Sequence, residues 1–304
     1  MIFLRKREDP KIKSPEEDCV MSKLKLVIPK GRIYDGVVGL LEDSGIRLSA
    51  CRRQYAPPTN DARIEIKIMK PQNIAQLVEL GSHDAGFTGY DWIVESGARV
   101  VEVMDLGLDP VKIVAAAPAA VVRQGFPERK IVIASEYENI SRRYLEMKKF
   151  NYHFLRTYGA TEAYPPQDAD MIIDNTMTGE TLAEHGLEIM DVLLESSTRF
   201  IACEESLKDA WKREKIEELK MLFSAVLYAR QRVMLEMNVP EDKLQEIVRI
   251  LPCMKAPTVS PLYQGMGYAV KAAVPKEDVA GLIPRLKRLG ASDILEYKFR
   301  KVVL

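Results

Sequence analysis

In "DADMIIDNTMTGETLAEHGL", residues 168–187, an apolar run ends on Asp174 and is followed at once by Thr176, Thr178 and Thr181 around Gly179. Met171, Ile172 and Ile173 have the character of a buried strand, and an acid at its carboxyl edge stands where open α/β sheets bind ligands. Three hydroxyls can donate hydrogen bonds to an anion, and the glycine lets the backbone approach a bulky group closely. A helix reads from this cluster to Gly186, and its start would add unpaired N–H groups and partial positive charge. The set suits a phosphate monoester, leaving Asp174 to accept from sugar hydroxyls or to face a cation carried with the substrate. A plainer reading stays open: Thr176 or Thr178 caps a helix and Asp174 merely ends a strand. A Walker A loop is excluded, because no Gly-x-x-x-x-Gly-Lys-Ser/Thr run occurs. His185, beside the helix-ending Gly186, reads as a partner of the last helical carbonyls.

The surrounding chain has 304 residues, enough for two or three compact domains. Hydrophobic residues make up 47%, which excludes general disorder, and Lys+Arg and Asp+Glu balance at 44 each, which leaves no basic footprint for nucleic acid. The uncharged run "IVAAAPAAVV" is about half the length of a membrane span, so no membrane association is expected. Cys19, Cys51, Cys203 and Cys253 are far apart and form no Cys-x-x-Cys pair, which fits free thiols in a reducing cytoplasm. His83, His153 and His185 are too few and too scattered for a His-built metal site. Residues 1–21 are charged, carry two prolines and lack a continuous apolar segment. They read as a flexible extension, or as translation from a start upstream of Met21, rather than a secretory signal.

The elements that must position the loop follow an α/β pattern from Lys23. "KLKLVIP", "ARIEIKIMK", "DAGFTG", "VVEVMDL" and "VKIVAAAP" read as strands, with helices over "RIYDGVVGLLEDSGI", "PQNIAQLVELG" and "YDWIVESG" between them. A second unit opens with "RKIVIAS", continues through helix "EYENISRRYLEMKKF" and strand "YHFLRTYG", and reaches "DMIID" and the hydroxyl loop. Tyr152, Phe154 and Tyr158 are expected to pack on a sheet rather than to stack a base. "LEIMDVLLES" and "TRFIACEES" return the chain, and a long helix follows over roughly 206–232. The alternation predicts parallel sheets with helices on both faces. The final segment instead reads β-α-β-β-α-β, a ferredoxin-like order.

The hydroxyl loop resembles the phosphoribosyl pyrophosphate loop of phosphoribosyltransferases, with one acid and Asn175 in place of a pair of acids. Three segments, "LVIPKGRIYDGVVGLLEDSGI", "KPQNIAQLVELGSHDAGFTGYDWIVESGA" and "GATEAYPPQDADMIIDNTMTGETLAEHGL", the last of which contains that loop, look like the ATP phosphoribosyltransferase family. "MLEMNVPEDKLQEIVRILPCMKAPTVSPL" and "LKRLGASDIL" resemble the regulatory domain of that family's long form. The resemblance implies a two-lobed, periplasmic-binding-protein-like catalytic core with a ferredoxin-like regulatory domain. Its expected divisions are residues 22–110 with 197–225 as lobe I, 111–196 as lobe II, and 226–304 as the regulatory part. It also implies ATP and phosphoribosyl pyrophosphate as substrates, Mg²⁺ carried with the substrate, inhibition by histidine, and a homo-oligomer between dimer and hexamer.

Carried onto this sequence, the resemblance assigns Asp174, Thr176, Thr178, Gly179, Glu180 and Thr181 to phosphoribosyl pyrophosphate. Gly31, Lys70, Thr88, Gly89 and Asp91 fall to the ATP side, Lys30, Arg32 and Glu162 to the reacting centre, and Glu236 and Thr258 to histidine. The basic pair also has a plain reading, as a polar turn after a strand, and Asp91 as a helix-start residue. The family's "RPxDI" reads "KPQNI" here, with Lys70 and Asn73, and Glu180 places a negative charge in the loop. Those departures sustain a rival expectation, a two-lobed small-molecule sensor without turnover. The implied chemistry needs no protein nucleophile, since the substrate brings its own leaving group; orientation and fixed charge supply the acceleration.

Overall fold

The computed structural model describes residues 22–49 and 55–304; the expected extension over 1–21, with Cys19, and also Cys51, lie outside the described residues. The first unit runs β1 (Leu24–Pro29), α1 (Arg32–Ser44), β2 (Ile64–Met69), α2 (Pro71–Glu79), β3 (Ala85–Gly89), α3 (Tyr90–Ser96) and β4 (Val101–Asp105). Leu24, Leu26 and Ile28 alternate toward α1, whose Val37, Leu40 and Leu41 recur at helical spacing to meet them. Gly45 ends α1 in the left-handed conformation that its lack of a Cβ permits, and Pro71 opens α2 where no N–H is needed.

The chain then crosses to β5 (Val111–Pro118), α4 (Ala119–Gln124), β6 (Ile131–Ser135), α5 (Glu138–Met147), β7 (Tyr152–Arg156), β8 (Met171–Thr176), α6 (Glu180–Glu184) and β9 (Leu187–Ser196). It returns through β10 (Thr198–Ala202) and the long α7 (Ala210–Arg230), whose start is capped by Asp209 accepting from the Lys212 amide. β5 is apolar without alternation because it is buried on both faces: Ile113, Ala115 and Ala117 face one core, Val114 and Ala116 another.

The two sheets have orders β2-β1-β3-β10-β4 and β7-β6-β8-β5-β9. They are mixed, which corrects the expectation of parallel sheets. β1 runs parallel to β2 and β3, but β10 is antiparallel to β3 and β4, and β5 is antiparallel to β8 and β9. The cause is the double crossing: strands that carry the chain from one lobe to the other enter the sheet in the opposite sense. Phe87, Phe200 and Phe223 pack at ring separations of 4.9, 5.6 and 5.3 Å and tie the returning β10 and α7 into the first core. Aromatic pairs of this kind add about 0.5–1.5 kcal/mol each beyond burial.

Three local boundaries also differ. β8 continues through Asp174 to Thr176, and α6 starts only at Glu180, after most of the hydroxyls. The long helix begins at Ala210, behind a short 3₁₀ turn. Tyr158 lies beyond β7 and is 87% exposed, with the Arg156 guanidinium 6.0 Å from its ring, so it does not pack on the sheet as Tyr152 does.

The C-terminal unit runs β11 (Arg232–Val239), α8 (Leu244–Ile250), β12 (Thr258–Pro261), β13 (Tyr268–Pro275), α9 (Val279–Arg288) and β14 (Ser292–Lys298). Its sheet order, β12-β13-β11-β14, is the ferredoxin-like one. Val233, Leu235, Met237 and Val239 are buried with α8 and α9, while the alternate residues form the opposite, half-buried face. Cys203 is buried and Cys253 half-buried, both as free thiols. Among the described residues, no helix is long and apolar enough to cross a membrane.

Candidate functional site

The carboxyl edges of both core sheets face one cleft. On the second sheet, the Ser135 hydroxyl donates to the Ile173 carbonyl and accepts from the Tyr137 amide, which holds the ends of β6 and β8 together. Beyond them a cavity of about 440 Å³ is lined by Asp174, Asn175, Thr176, Thr178, Thr181 and Glu162, with Arg32 reaching in from the first lobe. The Thr176 hydroxyl accepts from the Gly179 amide at 3.0 Å and closes the loop; Gly179 holds φ 86°, a torsion that suits glycine. Thr178 and Thr181 are exposed beside it. Glu180 is also exposed but does not line the cavity, so its charge stays out of the hydroxyl pocket. His185 reaches the Thr181 carbonyl at 2.8 Å, as its place at the helix end implies.

Asp174 is the most perturbed acid of this wall. Burial comes first in pushing its carboxyl up to about 6, and the nearby Glu136 and Glu162 charges push the same way. The Asn175 amide donates to its Oδ1 at 2.7 Å and opposes that shift. Acids perturbed in this way cluster at functional sites.

The first lobe supplies a second cavity, of about 260 Å³, with Lys30, Arg32, Gln72, Gly89 and Asp109 on one side and Glu136, Tyr137 and Asn175 on the other. Arg32 and Asn175 line both cavities, so the two are parts of one cleft. Lys30 and Arg32 flank exposed Gly31 at the start of α1. Lys70 is exposed at the start of α2; neither it nor Gly31 lines these two cavities. Thr88 departs from expectation: it is fully buried, and its hydroxyl donates to the Pro71 carbonyl at 2.9 Å, so its side chain does not reach the cleft. Gly89 does line it, and a Cβ there would fall 2.1 Å from Asp91 Oδ1.

Asp91 is itself buried and fully engaged, accepting from the Ser196 hydroxyl at 2.7 Å and the Tyr137 hydroxyl at 2.8 Å. It also lines the first-lobe cavity, with both carboxylate oxygens engaged by these hydroxyls. Two acids of the cleft, Asp109 and Glu136, had no distinguishing signal in the sequence. Asp109, at φ 48°, has a buried Oδ2 without a hydrogen-bond partner in the structure and a carboxyl pushed up by burial, against the pull of Arg32. Glu136 accepts from the Gln72 amide across the cleft at 3.4 Å. Asp109 lies just before β5 and Glu136 just after β6, and only the tertiary structure shows that these places converge.

Among the described residues, no group of three or more His, Cys, Asp or Glu side chains is arranged to hold a metal ion. Glu236 and Thr258 lie far along the chain on the C-terminal sheet, each in register with Lys271 between them. The Lys271 ammonium meets Glu236 at 3.1 Å.

A family model described as ATP phosphoribosyltransferase matches residues 70–225, and one described as HisG, C-terminal domain matches 229–301. An ATP phosphoribosyltransferase of Prosthecochloris aestuarii is 40% identical over 92% of this chain and 97% of its own length. One of Pelodictyon phaeoclathratiforme is 39% identical over 94% and 99%. Among solved structures, the ATP phosphoribosyl transferase (HisG:HisZ) complex from Thermotoga maritima matches with a TM-score of 0.59 at 28% identity, covering 66% of this chain and 98% of that one. Agreement of this length across both the two-lobed core and the C-terminal unit means that the chain belongs to the ATP phosphoribosyltransferase family, glycosyl-transferring enzymes of the first step of histidine biosynthesis.

Proposed function

We propose that the cleft joins N1 of ATP to the anomeric carbon of phosphoribosyl pyrophosphate. The N1–C1 bond forms as the C1–oxygen bond breaks, and that electron pair leaves with pyrophosphate; the product is phosphoribosyl-ATP. The observation that carries this reading is the continuity of the two cavities through Arg32 and Asn175. A two-substrate displacement needs one site with two chemically different ends.

At the lobe II end, the Thr178 and Thr181 hydroxyls suit the 5′-phosphate, with Gly179 shaping the loop that presents them, and the Asp174 carboxylate accepts from the ribose hydroxyls. Glu162 faces the same space and stabilises positive charge as the anomeric carbon becomes oxocarbenium-like. At the lobe I end, Lys30 and Arg32 meet the pyrophosphate and the ATP phosphates; Gly31, Gly89 and Lys70 flank that end. Mg²⁺, when carried in by the pyrophosphate, would supply charge neutralisation there, with Asp174 and Glu162 as the carboxylates beside it. The donor set fits this: without a preformed protein cage, a hydrated ion needs only one or two carboxylates such as Asp174 and Glu162 beside the phosphates. Alignment of N1 against C1 supplies most of the remaining acceleration.

We assign residues 22–110 with 197–225 to lobe I, 111–196 to lobe II and 226–304 to a regulatory part. The insertion of β10 between β3 and β4 supports that division. Glu236 and Thr258 are the histidine contacts of this reading, acting in a cytoplasmic homo-oligomer. Nothing in the comparisons supports the non-catalytic sensor. Purified protein with ATP, phosphoribosyl pyrophosphate and Mg²⁺ should release pyrophosphate and form a product with altered near-ultraviolet absorbance; a folded sample that yields neither refutes the reading. Removing residues from 226 onward should abolish inhibition by histidine, and inhibition that persisted would place the sensor elsewhere.

A further inference from the structure

Tyr137 is buried at the meeting of the lobes, where it lines the first-lobe cavity. Its ring stacks on Trp92 of the first lobe at 4.5 Å between centroids. Its hydroxyl is hydrogen-bonded on two sides: it donates to Asp91 Oδ2 at 2.8 Å and accepts from Asn175 Nδ2 at 3.2 Å. The same Nδ2 lies 3.2 Å from Asp174 Oδ1. The chain of contacts therefore runs from α3 of lobe I, through one phenol and one carboxamide, to the acid of the ribose pocket.

The direction of each hydrogen bond is set by chemistry. Burial, and then the Asp91 charge, hold the phenol far above its usual ionisation range, so it remains a donor. Asp91 is the stronger acceptor and takes that proton. The phenol oxygen is then left to accept, which orients the Asn175 carboxamide with its N–H₂ toward both Tyr137 and Asp174. Asn175 without that partner is free to turn, and Asp174 would lose one of its N–H contacts.

We propose that Tyr137 is a positioning residue that couples the relation of the two lobes to the orientation of Asp174, acting through Asn175. This rests on the proposed assignment of Asp174 to the ribose of phosphoribosyl pyrophosphate. Tyr137→Phe keeps the ring on Trp92 and removes only the hydroxyl. The charged groups facing Asp174 are Glu136 from the end of β6, Glu162 from the 3₁₀ turn before β8, and Arg32 from α1; all stay in place in this variant.

The test compares wild type, Y137F, N175A and the double variant, reading the dissociation constant of phosphoribosyl pyrophosphate with Mg²⁺ by calorimetry and both KM values by pyrophosphate release. Y137F should weaken phosphoribosyl pyrophosphate about tenfold and ATP by less than about twofold. N175A should show the same loss, and the double variant should be no worse than N175A alone. A Y137F protein that binds phosphoribosyl pyrophosphate as wild type does, an equal loss for both substrates, or losses that multiply in the double variant would each overturn the coupling. A wild type that binds this substrate without forming product refutes the proposed reaction, and the four dissociation constants still decide the role of Tyr137. A wild type that does not bind it overturns both.

Discussion

The two walls of the cleft hold charge in opposite ways. On the first lobe Lys30 and Arg32 are exposed cations at the start of α1, and neither makes an ion pair with a described residue. On the second, Asp174 is sunk beside Glu136 and Glu162 and is surrounded by hydroxyls and amides. Exposed cations keep their charge at little cost and can follow a leaving group whose charge grows. A buried acid is costly to ionise and therefore selective: it favours a neutral partner that donates hydrogen bonds at a fixed place. The difference teaches that lobe I is built for charge and lobe II for shape.

The comparison breaks most sharply at Asp174. Asp174→Asn should lower kcat/KM for phosphoribosyl pyrophosphate by about a hundredfold, since a charged acceptor is lost. The same change should raise thermal stability at pH 8 by about 3 kcal/mol, because the folded protein no longer carries a disfavoured carboxylate. The sign follows from a folded value of about 6 against 3.8 unfolded. The penalty is absent below pH 4, grows as pH rises to 6, and is complete above it. A calorimetric midpoint that falls in this variant at pH 8 would show that Asp174 is structural.

Thr178→Ala separates the walls next, with a rise of about tenfold in KM for phosphoribosyl pyrophosphate and less than about twofold for ATP. Equal changes would mean a general loss of fold. Lys30→Ala removes a cation that meets both substrates, so it should weaken ATP and phosphoribosyl pyrophosphate alike, by about fivefold, with the effect shrinking as salt is added. The smallest effect is titration: kcat/KM for phosphoribosyl pyrophosphate should be about halved at pH 6 relative to pH 8, and a flat profile over that range would remove Asp174 from substrate recognition.

Much of the fold was legible locally. Alternation in "ARIEIKIMK" and "RVMLEMNV", the glycine after α1 and the proline at the start of α2 each report a neighbourhood of a few residues, and the elements stand where those signals place them. The hydroxyl loop was legible for the same reason, since its acid, glycine and threonines are contiguous. Strand direction was not, because β5 and β10 read like any other strands and are reversed only by the chain's passage between lobes. Thr88 illustrates the limit at one position: its place in "GFTGYD" looks like a ligand loop, yet its side chain turns inward to the Pro71 carbonyl.

The sequence alone determined which segments are strands and helices, that the last unit differs from the first two, and that a hydroxyl-rich turn follows a buried acid-ending strand. Those properties come from side-chain periodicity and torsional preference, which act over a few residues. Only the tertiary structure decided that Arg32 faces Asn175, that Asp91 is bound by Tyr137, and that burial, with Glu136 and Glu162, makes Asp174 a weaker acid. Desolvation and charge coupling depend on distances between groups far apart in the chain, and those distances exist only once the lobes have met.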